Sequence, residues 1–81
     1  MFNVTFISQS EKKGIKRVQA VLDRYAIRIS DNTWNTDITQ EGLKVVYETL
    51  KKITTKQVAV CCYKKTKGNM VLFWSLGKTI Q

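Results

Sequence analysis

Seven cations in two groups are the residues of this sequence best suited to do chemistry: Lys13, Lys16, Arg17 and Arg24 in one stretch, and Lys64, Lys65 and Lys67 in another. Ammonium and guanidinium groups hold phosphate oxygens by charge and by donated hydrogen bonds, so both groups read as candidate phosphate contacts. The whole chain leans the same way, with 14 Lys and Arg against 6 Asp and Glu and a net charge of +8 over 81 residues. Such an excess points to a polyanionic partner, nucleic acid ahead of a membrane surface. The plainer reading of the first group is a solvated helix face.

Other chemistries have less support. Hydrolysis assisted by a divalent ion needs hard oxygen ligands held close together. The six carboxylates Glu11, Asp23, Asp31, Asp37, Glu41 and Glu48 are scattered, and caps, turns or helix pairs explain most of them. The chain has no His to act as a general base. Cys61 and Cys62 are adjacent in a Val-rich run, so their side chains point to opposite faces of a strand and cannot form an ordinary disulfide with each other. Without His or a second Cys cluster a zinc site would lack ligands, and buried structural thiols are expected. Gly77-Lys78-Thr79 resembles the end of a phosphate-binding loop, but the Gly required five positions earlier is Leu72, so no nucleotide site is assigned. Trp34, Trp74 and Tyr63 could stack bases on an open sheet face. Burial in the core or an interface is the commoner fate of large aromatics in a small domain.

The elements that must position these residues are organised around Trp34 to Leu43. Trp34, Thr36 and Ile38 alternate with Asn35, Asp37 and Thr39, the pattern of a half-buried strand. A helix follows at once, with Thr39 as N-cap, Glu41 in the first turn and Ile38 stapled onto Leu43, while Asp37 with Gln40 offers a competing cap. Its apolar stripe is Leu43, Val46, Tyr47, Leu50 and Ile53, leaving Lys44, Glu48, Lys51 and Lys52 outside.

Ahead of this core, Phe2 to Ile7 forms a first strand with Phe2, Val4 and Phe6 on its apolar face. Ser8-Gln9-Ser10-Glu11 matches a capping box, with Gly14 delaying the helix that follows. That helix packs Ile15, Val18, Leu22 and Tyr25 in one stripe and turns its four cations away from it. Ala26 to Ser30 supplies a strand, and Asp31-Asn32 a two-residue turn. Gln57 to Tyr63 and Met70 to Leu76 are two further strands joined at an exposed tip, Lys64 to Asn69, that would carry three of the cations.

The order of elements implies an α+β fold, ferredoxin-like, with two helices on one face of an antiparallel sheet and an extra C-terminal strand. Residues 1–81 read as a single domain, with no repeat, no low-complexity tract and no Pro. A chain this short buries only about 60–65% of its unfolded surface, so oligomerisation is expected. No apolar run approaches the roughly 18 residues that span a bilayer, and no basic segment precedes an apolar signal core, so the expected location is the cytoplasm and no membrane partner is expected. Gly77 to Gln81 end without a capping element, which suggests a chain cut from something longer.

Several stretches, taken in order, resemble the small adaptation subunit of CRISPR systems, and most closely the N-terminal domain of the type I-F fusion in which that subunit precedes a helicase-nuclease. They are Ile7-Ser8-Gln9, Leu22-Asp23-Arg24-Tyr25-Ala26, Trp34 to Leu43, Ala59-Val60-Cys61-Cys62 and Leu72-Phe73-Trp74-Ser75-Leu76-Gly77. The resemblance implies a ferredoxin-like fold, a homodimer, and a place bridging two dimers of the CRISPR integrase subunit during capture of new spacers. The family continues beyond the position of Gly77 into nuclease and helicase, so this chain is either an excised domain or a standalone relative. Free-standing relatives carry an Asp at the end of the first strand, taken as a metal ligand, where this chain reads Ile7-Ser8-Gln9-Ser10.

The reading that joins these lines is a non-catalytic dimeric scaffold of spacer acquisition, supporting duplex DNA through phosphates and requiring no cofactor. Phosphate contact carries no sequence information, which suits arbitrary spacer DNA. One rival is a metal-dependent nuclease of toxin type, distinguished by cleavage that EDTA abolishes. Another is an RNA-binding module using the sheet aromatics, distinguished by a preference for single strands.

Overall fold

Strand β1 (Phe2–Ser8) is the middle of a five-stranded sheet, and it pairs antiparallel with a partner on each side. The computed structural model describes residues 1–10, 12–53 and 59–77, and for Lys13 the backbone but not the side chain. Within them β1 is followed by α1 (Lys12–Leu22), β2 (Ile27–Ser30), β3 (Thr33–Ile38), α2 (Gln40–Ile53), β4 (Val60–Thr66) and β5 (Asn69–Leu76). The spatial order is β2-β3-β1-β4-β5 with every neighbouring pair antiparallel. This is the expected ferredoxin-like α+β arrangement, with β5 as the extra strand on the outside of β4.

Both helices cover the same face. Val18 and Leu22 of α1 and Leu43, Val46 and Leu50 of α2 join Val4, Phe6, Trp34, Ile38, Val60, Cys62 and Leu76 in one buried cluster. The register makes this inevitable, because residues paired across strands share a face. Trp34 lies opposite Phe6, Phe6 opposite Cys62 and Cys62 opposite Trp74, a row of side chains running beneath the helices.

The strand-to-helix handover at Ile38 follows the sequence. Gly42 N donates to Thr39 Oγ1 at 3.0 Å, so Thr39 is the cap rather than Asp37. A Cβ on Gly42 would come within 2.9 Å of Ile38 Cγ1, which shows how closely Ile38 folds over the first turn. Asp37 instead accepts a bond from Asn3 Nδ2 across the sheet at 3.0 Å.

Other local expectations are corrected. Ser8 does not begin a capping box, because it is the last residue of β1, paired with Val60 and 2% exposed; Glu11 lies outside the described residues. Helix α1 ends at Leu22, so Arg24 sits in the turn after it rather than on the helix. Gln57 is likewise outside the described residues, and β4 runs on through Lys64 and Lys65 to Thr66. The exposed tip shrinks to Lys67 and Gly68, whose φ values of 47° and 86° match the two left-handed positions of a tight two-residue hairpin turn. Gly is the residue that adopts this backbone without steric cost.

Trp34 holds the two layers together. Its ring is fully buried and its indole Nε1 donates to Asp23 Oδ1 at 2.8 Å, tying β3 to the turn that closes α1. Arg28 Nε on β2 lies 3.5 Å from the same carboxylate oxygen. Truncation by Trp34→Ala should cost about 3–5 kcal/mol, most of the stability of a domain this small. Trp34→Phe, which keeps a ring but loses the donor, should fall between that variant and the parent in chemical denaturation.

Candidate nucleic-acid interface

Within the first cation group, Lys16 and Arg17 are placed as the sequence suggests. Lys16 and Arg17 project from α1 opposite the buried Val18 and Leu22, and both are exposed, as is Arg24 in the following turn. The side chain of Lys13 lies outside the described residues. On α2 the exposed Lys44, Lys51 and Lys52 extend the positive charge over the outer side of the helical layer. The sequence had placed these three off the apolar stripe without assigning them to the site. Their position on the second helix of the same layer is a matter of tertiary structure.

The second group is not brought together. In a strand successive side chains alternate faces, so Lys64 and Lys65 diverge and Lys67 alone occupies the turn. Lys65 lies opposite Met70 and points to the face away from the helices. Lys64 lies opposite Val4, on the helix side. Its Nζ sits 4.0 Å from the Phe2 ring centroid and 4.1 Å from that of Phe73, between two aromatic faces. Such contacts hold a cation by the ring quadrupoles and satisfy charge that would otherwise reach for phosphate. The period-2 run Val60, Cys62, Lys64 already put this lysine in line with core residues.

A second feature was not foreseen. The register of β4 and β5 slips between Cys62 and Tyr63, so that Tyr63 lies opposite Leu72 and Phe73 becomes the extra residue of a bulge. Phe73 lines the helix side with its neighbour Trp74. Together with Leu43 and Tyr47 of α2 they wall an open groove of about 590 Å³, with Glu41 and Lys44 at its rim. Trp74 meets Tyr47 edge-on at 5.1 Å and Phe6 at 6.0 Å, and so belongs to the helix side with Trp34. Of the three aromatics considered for base stacking, Tyr63 alone is on the open face, opposite Thr5.

At the end of β1, where the resemblance leads one to look for a metal ligand, serine hydroxyls close the space. Ser8 Oγ and Ser10 Oγ are 2.6 Å apart, and Ser10 Oγ accepts from Ala59 N at 3.1 Å and donates to Ala59 O at 3.4 Å. Among the described residues no group of three or more Cys, Asp or Glu stands close enough to hold a metal ion. Nor among them is any helix long and apolar enough to cross a membrane.

These observations define the class: a small ferredoxin-like α+β domain with a cationic helical layer and an uncovered sheet face. The family follows from comparison. A family model described as the Cas2 domain of the I-F/YPEST CRISPR-associated nuclease/helicase Cas3 matches residues 2–79, and the chain belongs to that family. It is 34% identical over 76 residues to the CRISPR-associated nuclease/helicase Cas3 subtype I-F/YPEST of Pseudomonas aeruginosa, covering 93% of this chain. The protein of the same name from Pectobacterium atrosepticum is 30% identical over the same share of this chain. The chain spans about 7% of the length of each of these relatives. Its role is CRISPR-related.

The two thiols sit in different surroundings. Cys61 is half-buried on the open face, whereas Cys62 is fully buried beneath the helices, and burial pushes its thiol from the ordinary value of 9.0 up to about 12. Iodoacetamide should therefore modify one thiol in the folded protein and both in denaturant, read by intact mass. Between pH 9 and 12 the unfolded chain's thiol ionises while folded Cys62 stays protonated, so this residue's contribution makes stability fall as pH rises through that window. Replacement of Cys62 by Val should flatten that alkaline decline in denaturation midpoints.

Proposed function

We propose that this domain is a non-catalytic, dimeric scaffold of the CRISPR spacer-acquisition complex, which bridges integrase dimers and supports duplex DNA by phosphate contact. The observation that carries the reading is the division of its surface. Exposed Lys16, Arg17, Arg24 and Lys52 lie on the helical layer, with Lys44 and Lys51 on its flank beside β5, while the opposite sheet face is poor in charge. Cations that contact phosphate alone hold nucleic acid of any sequence.

The open face supports the second copy. Across it runs the row Ile27, Asn35, Thr5, Tyr63 and Leu72, with Ile27 74% and Leu72 53% exposed at its ends. Asn35 Oδ1 and Asn3 Oδ1 on this face are shielded from solvent and have no hydrogen-bond partner. Unpaired buried amide oxygens and large exposed apolar side chains on one sheet face are both relieved when another copy covers it. The engaged carboxylates favour a structural role: Asp23 is held by Trp34 and Arg28, and Asp37 by Asn3.

In duplex-binding titrations across salt concentration, each phosphate contact contributes about 0.9 to the slope of log affinity against log salt. Reversal of Lys16, Arg17 and Arg24 to Glu should weaken binding to all duplexes alike and flatten that slope. Unchanged affinity and slope in this variant would move the DNA surface elsewhere. Reversal of Lys64 should leave the slope nearly unaltered, because its ammonium faces two rings.

Light scattering should give twice the single-chain mass at micromolar concentration, and Ile27→Asp or Leu72→Asp should return it to the monomer. A monomer across the whole accessible concentration range would count against the scaffold.

A further inference from the structure

Among the described residues strand β5 is an edge strand, hydrogen-bonded to β4 alone, and it is unusually apolar for one. Met70, Val71, Leu72 and Phe73 are each about half exposed, at 50%, 55%, 53% and 47%. An edge of this kind is a ready template for another strand, and proteins commonly blunt it with charge or Pro. Here the bulge residue Phe73 itself lines the groove, so the β5 edge and the apolar pocket adjoin.

The charges at the groove decide what fits. Lys44 lines it, Lys51 Nζ lies 6.0 Å over the ring of Tyr47 on its wall, and Lys64 Nζ lies 4.1 Å from the ring of Phe73 on the opposite wall. Among the described residues, Glu41 is the carboxylate that lines the groove against these three ammonium groups. A second copy laid on this edge would bring lysines against lysines, and like charges at an interface are strongly disfavoured.

We propose that the β5 edge and the α2–β5 groove form a docking site for an extended acidic segment of a partner protein. The segment adds as a further strand beside β5, places one aliphatic or aromatic side chain between Tyr47 and Phe73, and sets its flanking carboxylates near the exposed Lys44 and Lys51. Main-chain hydrogen bonds supply affinity in this mode, and the pocket with its charged rim supplies selectivity. The site shares Lys44 and Lys51 with the helical cations, and its edge carries Leu72 of the open face, but it takes none of the α1 cations, and the groove residues Leu43, Tyr47 and Trp74 belong to neither of the other surfaces, so its test is distinguishable from theirs.

The test uses three capped heptapeptides and amide spectra of the 15N-labelled chain. The first is Asp-Glu-Leu-Phe-Val-Asp-Glu, the second its twin with Lys at every acidic position, and the third the acidic peptide N-methylated at alternate residues. The acidic peptide should shift the amides of Leu43, Tyr47, Phe73 and Trp74 and slow hydrogen exchange along β5. The lysine twin and the methylated peptide should each bind about tenfold more weakly or worse, and Lys44→Glu, an exposed substitution, should reverse the order of the acidic and basic peptides. The proposal is overturned if the acidic peptide leaves the groove amides unmoved up to millimolar concentration, or if the acidic and basic peptides bind alike. It is equally overturned if dilution without any peptide shifts the groove amides, which would assign the groove to a second copy.

Discussion

The indole of Trp34 is fully buried, and a buried N–H must find an acceptor or cost the full desolvation of the group. That acceptor is Asp23, from the turn that ends α1. One bond therefore fixes where the first helix stops, how β3 lies beneath it, and which residues of β3 face the core. The row from Trp34 through Phe6 and Cys62 to Trp74 follows from that placement, because each strand's parity is set by its neighbour. Even the groove beside α2 inherits its wall from the last member of this row.

The surface divides by the same logic. With both helices on one side, the lysines and arginines outside the two apolar stripes are obliged to share the outer surface of the helical layer. The other face of the sheet carries what β1 and β3 alternate with, namely Asn3, Thr5, Asn35 and Asp37, bordered by Ile27 and Leu72. Charge and apolar surface are thus separated without any dedicated element, which lets one small domain offer chemically distinct faces to different partners.

Helices and their buried stripes were legible in the sequence because a 3.6-residue period survives packing unchanged: Val18, Leu22, Leu43, Val46 and Leu50 are where the pattern put them. The hairpin of β2 and β3 and the cap at Thr39 were legible for a similar reason, since each rests on residues adjacent in the chain. Three features depended on non-local geometry and were misread or missed. Ser8 has the chemistry of a cap, but its ladder with Val60 and the hydroxyl of Ser10 compete for it and win. Lys64 looked like part of a loop because Lys-rich stretches usually are, although the ring of Phe2 across the sheet and that of Phe73 on the bulged strand await it. The bulge shifts the parity of β5, and an unbroken apolar run such as Met70 to Trp74 carries no alternation from which the shift could be seen.

The central position of β1 has a consequence for how the chain is made. Both of its partners come from later in the sequence, β3 from residues 33–38 and β4 from residues 60–66. At ribosomal rates of about 5–20 residues per second, β1 waits roughly 3–10 seconds after its own synthesis before its second edge can be paired. During that interval an apolar strand carrying Phe2, Val4 and Phe6 has an open ladder on at least one side, and the contacts that close it, such as Gln9 N to Ala59 O, span the length of the fold. Nascent-chain exposure is therefore written into the strand order: the central strand of the sheet is made well before the second of its two partners.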